Sequence, residues 1–178
     1  KIKNKMSRKS SINKIKRDNS KSKNIEAALM MNLYEKGHSP ITSHFTHMGM
    51  QEMDIISISK ADYIYEYEVK ISKSDFLADF KKPKHKLFNE KISVKNYLKE
   101  GVQDVWFYTP NYFYFVVPKD LVTLDMIPDY AGLIYVNELF GFDIIKKAPL
   151  IHKNKATQNF IRQIGHNLMC KLIFSKKN

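Results

Sequence analysis

A chain of 178 residues that is 43% hydrophobic, 12% aromatic and 27% charged can bury one core and is short for two, so composition argues against a disordered or collagen-like chain and for one α/β domain with tails. The net charge of +12 is uneven, because residues 1 to 24 hold ten Lys or Arg against Asp18 alone, which places +9 in the arm and +3 in the rest. A single cysteine, Cys170, rules out an internal disulfide, and no apolar run approaches the roughly 18 residues of a membrane helix. The Lys-rich start lacks the apolar segment of a secretory signal, so the expectation is a cytoplasmic protein with no membrane partner.

Residues 1 to 23 read as a flexible basic arm and residues 24 to 178 as the folded domain. Such an arm either attracts a polyanion by releasing its counterions or simply keeps the chain soluble. From Asn24, the run NIEAALMMNLYEKG combines good helix formers with apolar Ile25, Leu29 and Leu33, and Gly37 supplies the stop. After Ser39-Pro40, ITSHFTHM and MDIISIS are rich in β-branched residues and read as two strands. Lys60-Ala61-Asp62 turns the chain into a third strand, Tyr63 to Ile71, whose alternation separates Ile64, Glu66, Glu68 and Lys70 from Tyr63, Tyr65, Tyr67 and Val69.

Ser74 and Asp75 offer an N-terminal cap for a helix carrying Phe76, Leu77 and Phe80, broken at Pro83 and resumed from Lys84 toward Leu98. Asp104 to Thr109 and Tyr112 to Val117 flank Pro110-Asn111 and read as a hairpin or strand pair. Shorter strands follow at Ala131 to Val136 and Phe142 to Lys146. A last helix over residues 156 to 174 repeats Phe160, Ile161, Ile164, Leu168, Met169 and Leu172 at helical spacing, as a core helix does.

Chemistry concentrates on the third strand. Residues i and i+2 of a strand share a face about 6.5–7 Å apart, so Glu68 and Lys70 project together while Val69 points into the core. If Asp54 lies on a neighbouring antiparallel strand, its carboxylate meets that of Glu68, and two carboxylates suit Mg²⁺ or its substitute Mn²⁺. The Val69 backbone carbonyl would add another oxygen ligand. A cation held there serves phosphodiester hydrolysis by activating water and compensating charge, with Lys70 orienting the water and complementing the transition-state phosphate. Asp79-Phe80-Lys81 repeats the acidic-x-Lys pattern, but in a predicted helix, where i and i+2 do not share a face.

Helix, three strands, helix, strand, with Asp54 on the second strand and Glu68-x-Lys70 on the third, resembles the PD-(D/E)XK nuclease superfamily over about residues 24 to 109. The stretch YEYEVKISKSDFLADF is similar to that of compact bacterial and phage members. The resemblance implies a restriction-endonuclease-like αβββαβ core with a mixed central sheet flanked by helices, here extended by C-terminal strands and a helix. It implies an endonuclease cutting DNA, with RNA left open, in which Asp54 and Glu68 bind metal and Lys70 supports water activation. Met53 stands where the motif's Pro would be. Some members add a carboxylate from the first helix, a place that Glu26 occupies here; the ordinary alternative is a carboxylate favoured by the helix dipole.

Lys73, Lys82, Lys84 and His85 follow the motif strand closely and are candidates for contacting a phosphate backbone, against the plain alternative of a solvated helix face. Glu66 is either a further ligand, a partner of Lys70, or half of a surface ion pair. His44 and His47 have a spacing that suits zinc but lack cysteine partners. Two other readings stay open: a non-catalytic nucleic-acid-binding protein on a nuclease fold, and a structural protein of a larger assembly. A homodimer would suit paired cuts on two strands.

Overall fold

The computed structural model describes residues 20–46, 52–89 and 109–175. Most of the expected arm, His47, the helical continuation beyond Asn89 and the expected strand at 104–108 lie outside the described residues. Helix α1 spans residues 20–35, so residues 20–23, assigned above to the arm, are already helical. It ends at Gly37, whose φ of 82° is a left-handed turn that only glycine takes without strain.

Six strands form one sheet in chain order: β1 (Ile41–Phe45), β2 (Met53–Ile58), β3 (Ile64–Val69), β4 (Tyr112–Pro118), β5 (Ala131–Val136) and β6 (Phe142–Lys146). The pairs β1/β2, β2/β3 and β5/β6 are antiparallel, while β3/β4 and β4/β5 are parallel. Strand β4 therefore has both edges filled, by β3 and by β5, while the other half of the hairpin or strand pair expected about Pro110-Asn111 falls outside the described residues. Parallel central strands are covered on both faces, and β3 is buried on both accordingly.

One face is covered by α1, whose Ile25, Leu29 and Leu33 pack on Ile55, Tyr67, Val69 and Val116. On this side the tyrosines stack along the sheet, Tyr65 on Tyr112 at 4.6 Å and Tyr67 on Tyr114 at 5.6 Å. The other face carries α2 (Lys73–Asp79) and α3 (Pro83–Asn89), which bury Phe76 and Phe88 against Phe113, Phe115 and Leu133. Helix α2 is capped by the Ser72 hydroxyl, which accepts from the Asp75 amide at 3.2 Å, so Ser72 takes the part expected of Ser74 and Asp75. Pro83 opens α3 at the position where its missing N–H costs nothing. Helix α4 (Gln158–Ser175) closes the far end of this face with Phe160 and Ile164 against Ile56, Ile58 and Ile64. Its second half departs from the expected core helix, since Met169 and Leu172 are 60% and 59% exposed. Among the described residues no helix is long and apolar enough to cross a membrane.

Asn111 is fully buried and joins the sheet to the segment before α4. Its Oδ1 accepts from the Ile64 amide at 2.7 Å, and its Nδ2 donates to the carbonyls of His152 and Asn154, each at 2.7 Å. His152 is itself bonded to the Thr109 carbonyl at 2.7 Å. Truncating Asn111 leaves one amide and two carbonyls in need of partners. Asn111→Ala is expected to lower unfolding free energy by about 2–4 kcal/mol, read as a shifted urea midpoint at unchanged slope.

Candidate active site

Antiparallel register decides where the motif residues meet. Ile55 pairs with Tyr67 and Ile56 with Glu66, so continuing the ladder sets Asp54 opposite Glu68 on the same face of the sheet. There the Asp54 Oδ2 accepts the Val69 amide at 2.9 Å, a side chain taking the main-chain bond where the β2/β3 ladder ends. Lys70 follows β3 directly, and its amide bond to the Val116 carbonyl at 3.0 Å keeps the extended alternation. Its Nζ lies 2.7 Å from Glu68 Oε2 and 3.7 Å from Asp54 Oδ2. The three motif residues thus converge as the spacing required.

Other residues join them from α2 and α3. Asp79 Oδ1 pairs with Lys70 at 3.0 Å and with Lys82 at 2.5 Å, and its Oδ2 with His85 Nε2 at 2.7 Å. Lys84 bridges Glu66, at 2.7 Å, and Glu68, and Lys82 also reaches Glu68 Oε2 at 3.2 Å. His85 Nδ1 is bonded to the Tyr130 hydroxyl at 2.8 Å. Sequence reasoning set Asp79 aside with Lys81 because i and i+2 diverge on a helix. Lys81 is indeed exposed, but Asp79 lies three residues beyond Phe76, and that pair forms the buried face of α2. This i, i+3 relation was the available signal.

The basic run needs a similar correction. Lys84 and His85 are buried inside the cluster, neither solvated nor lining an open path, because the turn at residues 80–82 aims α3 back at the sheet. Lys73 is exposed at the start of α2, and the Lys82 side chain is 30% exposed. Glu66 is buried as well, which removes the surface ion-pair reading. Glu26 is drawn elsewhere: its carboxylate accepts from Ser22 at 3.0 Å and faces His44 Nε2 at 3.0 Å, and the other ring nitrogen of His44 lies 3.0 Å from Glu52. Among the described residues Glu26 makes no ion pair with Lys70.

The charges tune one another. Burial and the neighbouring Glu68 push Asp54 up to about 7, against the pull of Lys70. Burial also raises Glu66, with Lys84 opposing. Burial acts on Glu68 in the same sense, but Lys84 and Lys70 outweigh it and hold this carboxyl low. Asp79 likewise stays well below the usual range, since the His85 hydrogen bond and Lys70 overcome its burial. Burial would lower Lys70 and Lys84; their carboxylate partners instead raise both, so each remains an ammonium.

Two carboxylates on one face match a hard divalent ion in the kind of donor offered. Among the described residues no group of three or more His, Cys, Asp or Glu is arranged to hold a metal, so that pair is the donor set on hand. Both Glu68 oxygens carry lysine ammonium groups, positive charges standing where a dication would neutralise the same carboxylate. The donors fit the ion, and an ammonium must give way for it.

No family model and no curated protein matches the sequence. Among solved structures, the chain is similar to the SPO1766 protein of unknown function from Silicibacter pomeroyi, with a TM-score of 0.52 and 17% identity over 79% of this chain and 80% of that one. At such identity the likeness speaks for the fold alone, a mixed α/β sheet flanked by helices.

Proposed function

We propose that this chain is a divalent-metal-dependent endonuclease acting on DNA, built on a restriction-endonuclease-like core of the PD-(D/E)XK type. The observation that carries the reading is the placement of Asp54 and Glu68 on one face with the Lys70 ammonium at 3.7 Å and 2.7 Å from their oxygens. The order α1, three antiparallel strands, α2 and α3, then a parallel β4 supports it. So does the excess of +9 in residues 1 to 24, a charge suited to a phosphate backbone.

Asp54, Glu68 and the Val69 carbonyl would hold the ion. When bound, Mg²⁺ supplies polarisation of a phosphate oxygen and a more acidic water. Lys70 contributes a fixed positive charge on the same face. It donates a hydrogen bond to Glu68 and forms an ion pair with Asp79, and as an ammonium with three hydrogens it keeps donor capacity for a phosphate oxygen or the attacking water. The burial of Glu68 and Lys70 keeps bulk water from screening that charge. Lys82, the most exposed of the three lysines on Glu68, is the one best placed to reach a phosphate, giving up its contacts with Glu68 and Asp79 to do so.

A second reading, a non-catalytic nucleic-acid-binding protein on this fold, draws on one observation: lysines already satisfy both oxygens of Glu68. Cleavage separates the two. With plasmid, linear, branched and single-stranded DNA in Mg²⁺ or Mn²⁺, at least one substrate should be cut, and Glu68→Ala and Lys70→Ala should slow cutting by roughly 10²- to 10⁴-fold. Equal cutting by either variant rejects the reading, and salt-sensitive binding with no cutting favours the second.

Two further outcomes follow from the electrostatics. With a native value near 7 against 3.8 in the unfolded chain, Asp54 binds its proton more tightly when folded. Its contribution to stability therefore falls as pH rises from about 4 to about 7, the opposite of the low-lying Asp79, whose contribution is lost in acid. Denaturation of the metal-free protein across this range should show a smaller decline for Asp54→Asn, and added Mn²⁺ should stabilise the wild type increasingly as the proton leaves. Lys82→Gln should strengthen Mn²⁺ binding several-fold by calorimetry, since it removes the ammonium that competes for Glu68.

A further inference from the structure

A lysine that serves a reacting phosphate must keep its ammonium in place when its carboxylate partner is engaged by another cation. Glu68 is the nearest partner of Lys70, at 2.7 Å, and it is also the carboxylate assigned to the ion. Any positive charge arriving on Glu68 weakens its hold on Lys70. A second anchor is present: Asp79 Oδ1, 3.0 Å from the same Nζ, on a helix rather than on the motif strand.

The orientation of Asp79 is itself fixed from behind. A carboxylate oxygen only accepts, so the His85 Nε2 at 2.7 Å from Oδ2 carries a hydrogen pointed at it. The other ring nitrogen, Nδ1, lies 2.8 Å from the Tyr130 hydroxyl, at the turn leading into β5. Neutral imidazole fits both contacts, donating from Nε2 and accepting the tyrosine hydrogen at Nδ1. The ring is further held by Phe115, stacked at 5.9 Å, and by Phe113, edge-on at 5.5 Å. Asp79 and His85 are both buried, at 2% and 4% exposure. A polar line in an apolar shell then runs Tyr130, His85, Asp79, Lys70, hydrogen-bonded from Tyr130 through His85 to Asp79 and closed by the Asp79–Lys70 ion pair.

We infer that Asp79 is the positioning residue for Lys70, oriented by His85 and Tyr130, and that it holds the ammonium beside Asp54 when Glu68 turns to a divalent ion. The catalytic use of Lys70 rests on the nuclease reading above; its anchoring by Asp79 does not. Lys84 provides an internal control, because it is equally buried in the same cluster but pairs with Glu66 and Glu68, not with Asp79.

The test uses the full metal-free chain labelled with ¹⁵N at lysine Nζ, the Lys70 and Lys84 signals being assigned from Lys70→Arg and Lys84→Arg. Both signals should be slow to exchange in the wild type. In Asp79→Asn the Lys70 signal should broaden or vanish while that of Lys84 persists, and Tyr130→Phe, which keeps the ring and removes one hydrogen bond, should produce the same change more weakly. On the DNA substrate, Asp79→Asn should lower kcat by 10-fold or more with KM unchanged. An unaltered Lys70 signal in Asp79→Asn overturns the inference, as does loss of both signals together in Tyr130→Phe. If Asp79→Asn does not fold, Tyr130→Phe decides by the same two signals. A wild type that cuts nothing defeats the nuclease reading, while the lysine signals still decide whether Asp79 anchors Lys70.

Discussion

Glu68 has no exposure to water, and the arrangement of this end of the molecule follows from that burial. Removing a carboxylate from water costs several kcal/mol, which only close opposite charges and complete hydrogen bonding offset. Lys70 and Lys84 are the first response, with Lys82 at the rim. Each buried ammonium then needs acceptors of its own, so Lys84 takes Glu66 and Lys70 takes Asp79. Asp79 in turn takes His85, and the sequence of obligations ends at the Tyr130 hydroxyl. Strand β3 thereby dictates what α2 and α3 place against it.

The sheet keeps this lattice apart from the tyrosines. Strand alternation sends Glu66, Glu68 and Lys70 to one face and Tyr65, Tyr67 and Val69 to the other, where α1 lies. A slip of one residue between β2 and β3 would set Asp54 against the tyrosine face and leave Glu68 without its neighbour. Register is held at the strand end by the Asp54 carboxylate on the Val69 amide and across the sheet by the Lys70 amide on Val116. One of the site's acids therefore helps align the strand that carries the other.

How far this was legible beforehand depends on the range of the signal. Period-two alternation in Tyr63 to Ile71 and the Asp54 spacing were enough to bring three motif residues together, because both act through one strand pair. Strands β5 and β6 were likewise readable from β-branched runs between turns. The helical lysines were not: KKPKHK has the composition of a solvated face, and only the turn at residues 80–82 shows that α3 points inward. Asp79 was misjudged because the test applied to it concerned its own motif partner, whereas its burial follows from Phe76 one helical turn earlier. For β4, the local Pro110-Asn111 turn suggested a hairpin or strand pair, while the partners described, β3 and β5, are distant in sequence and unmarked by any local pattern. The partner of Glu26 was equally unmarked, since His44 reaches it from another strand.

Stability alone gives no account of such a cluster. Buried ion pairs are often no better for folding than well-packed apolar residues of similar volume, and an unmatched member is strongly destabilising. At this end of the sheet an aliphatic filling would serve the core as well, with none of the risk of leaving a charge unmatched. Concentrating Asp54, Glu66, Glu68, Asp79, Lys70, Lys84 and His85 there pushes carboxyl groups in opposite directions, Asp54 and Glu66 upward and Glu68 and Asp79 downward. Environments that split like groups are what acid, base and cation chemistry requires of a site. Asp54 is the acid of the motif with the greater access to solvent, its side chain 22% exposed, and it is also the one held near neutrality. The group easiest for a ligand to reach is thus the one whose charge is easiest to change.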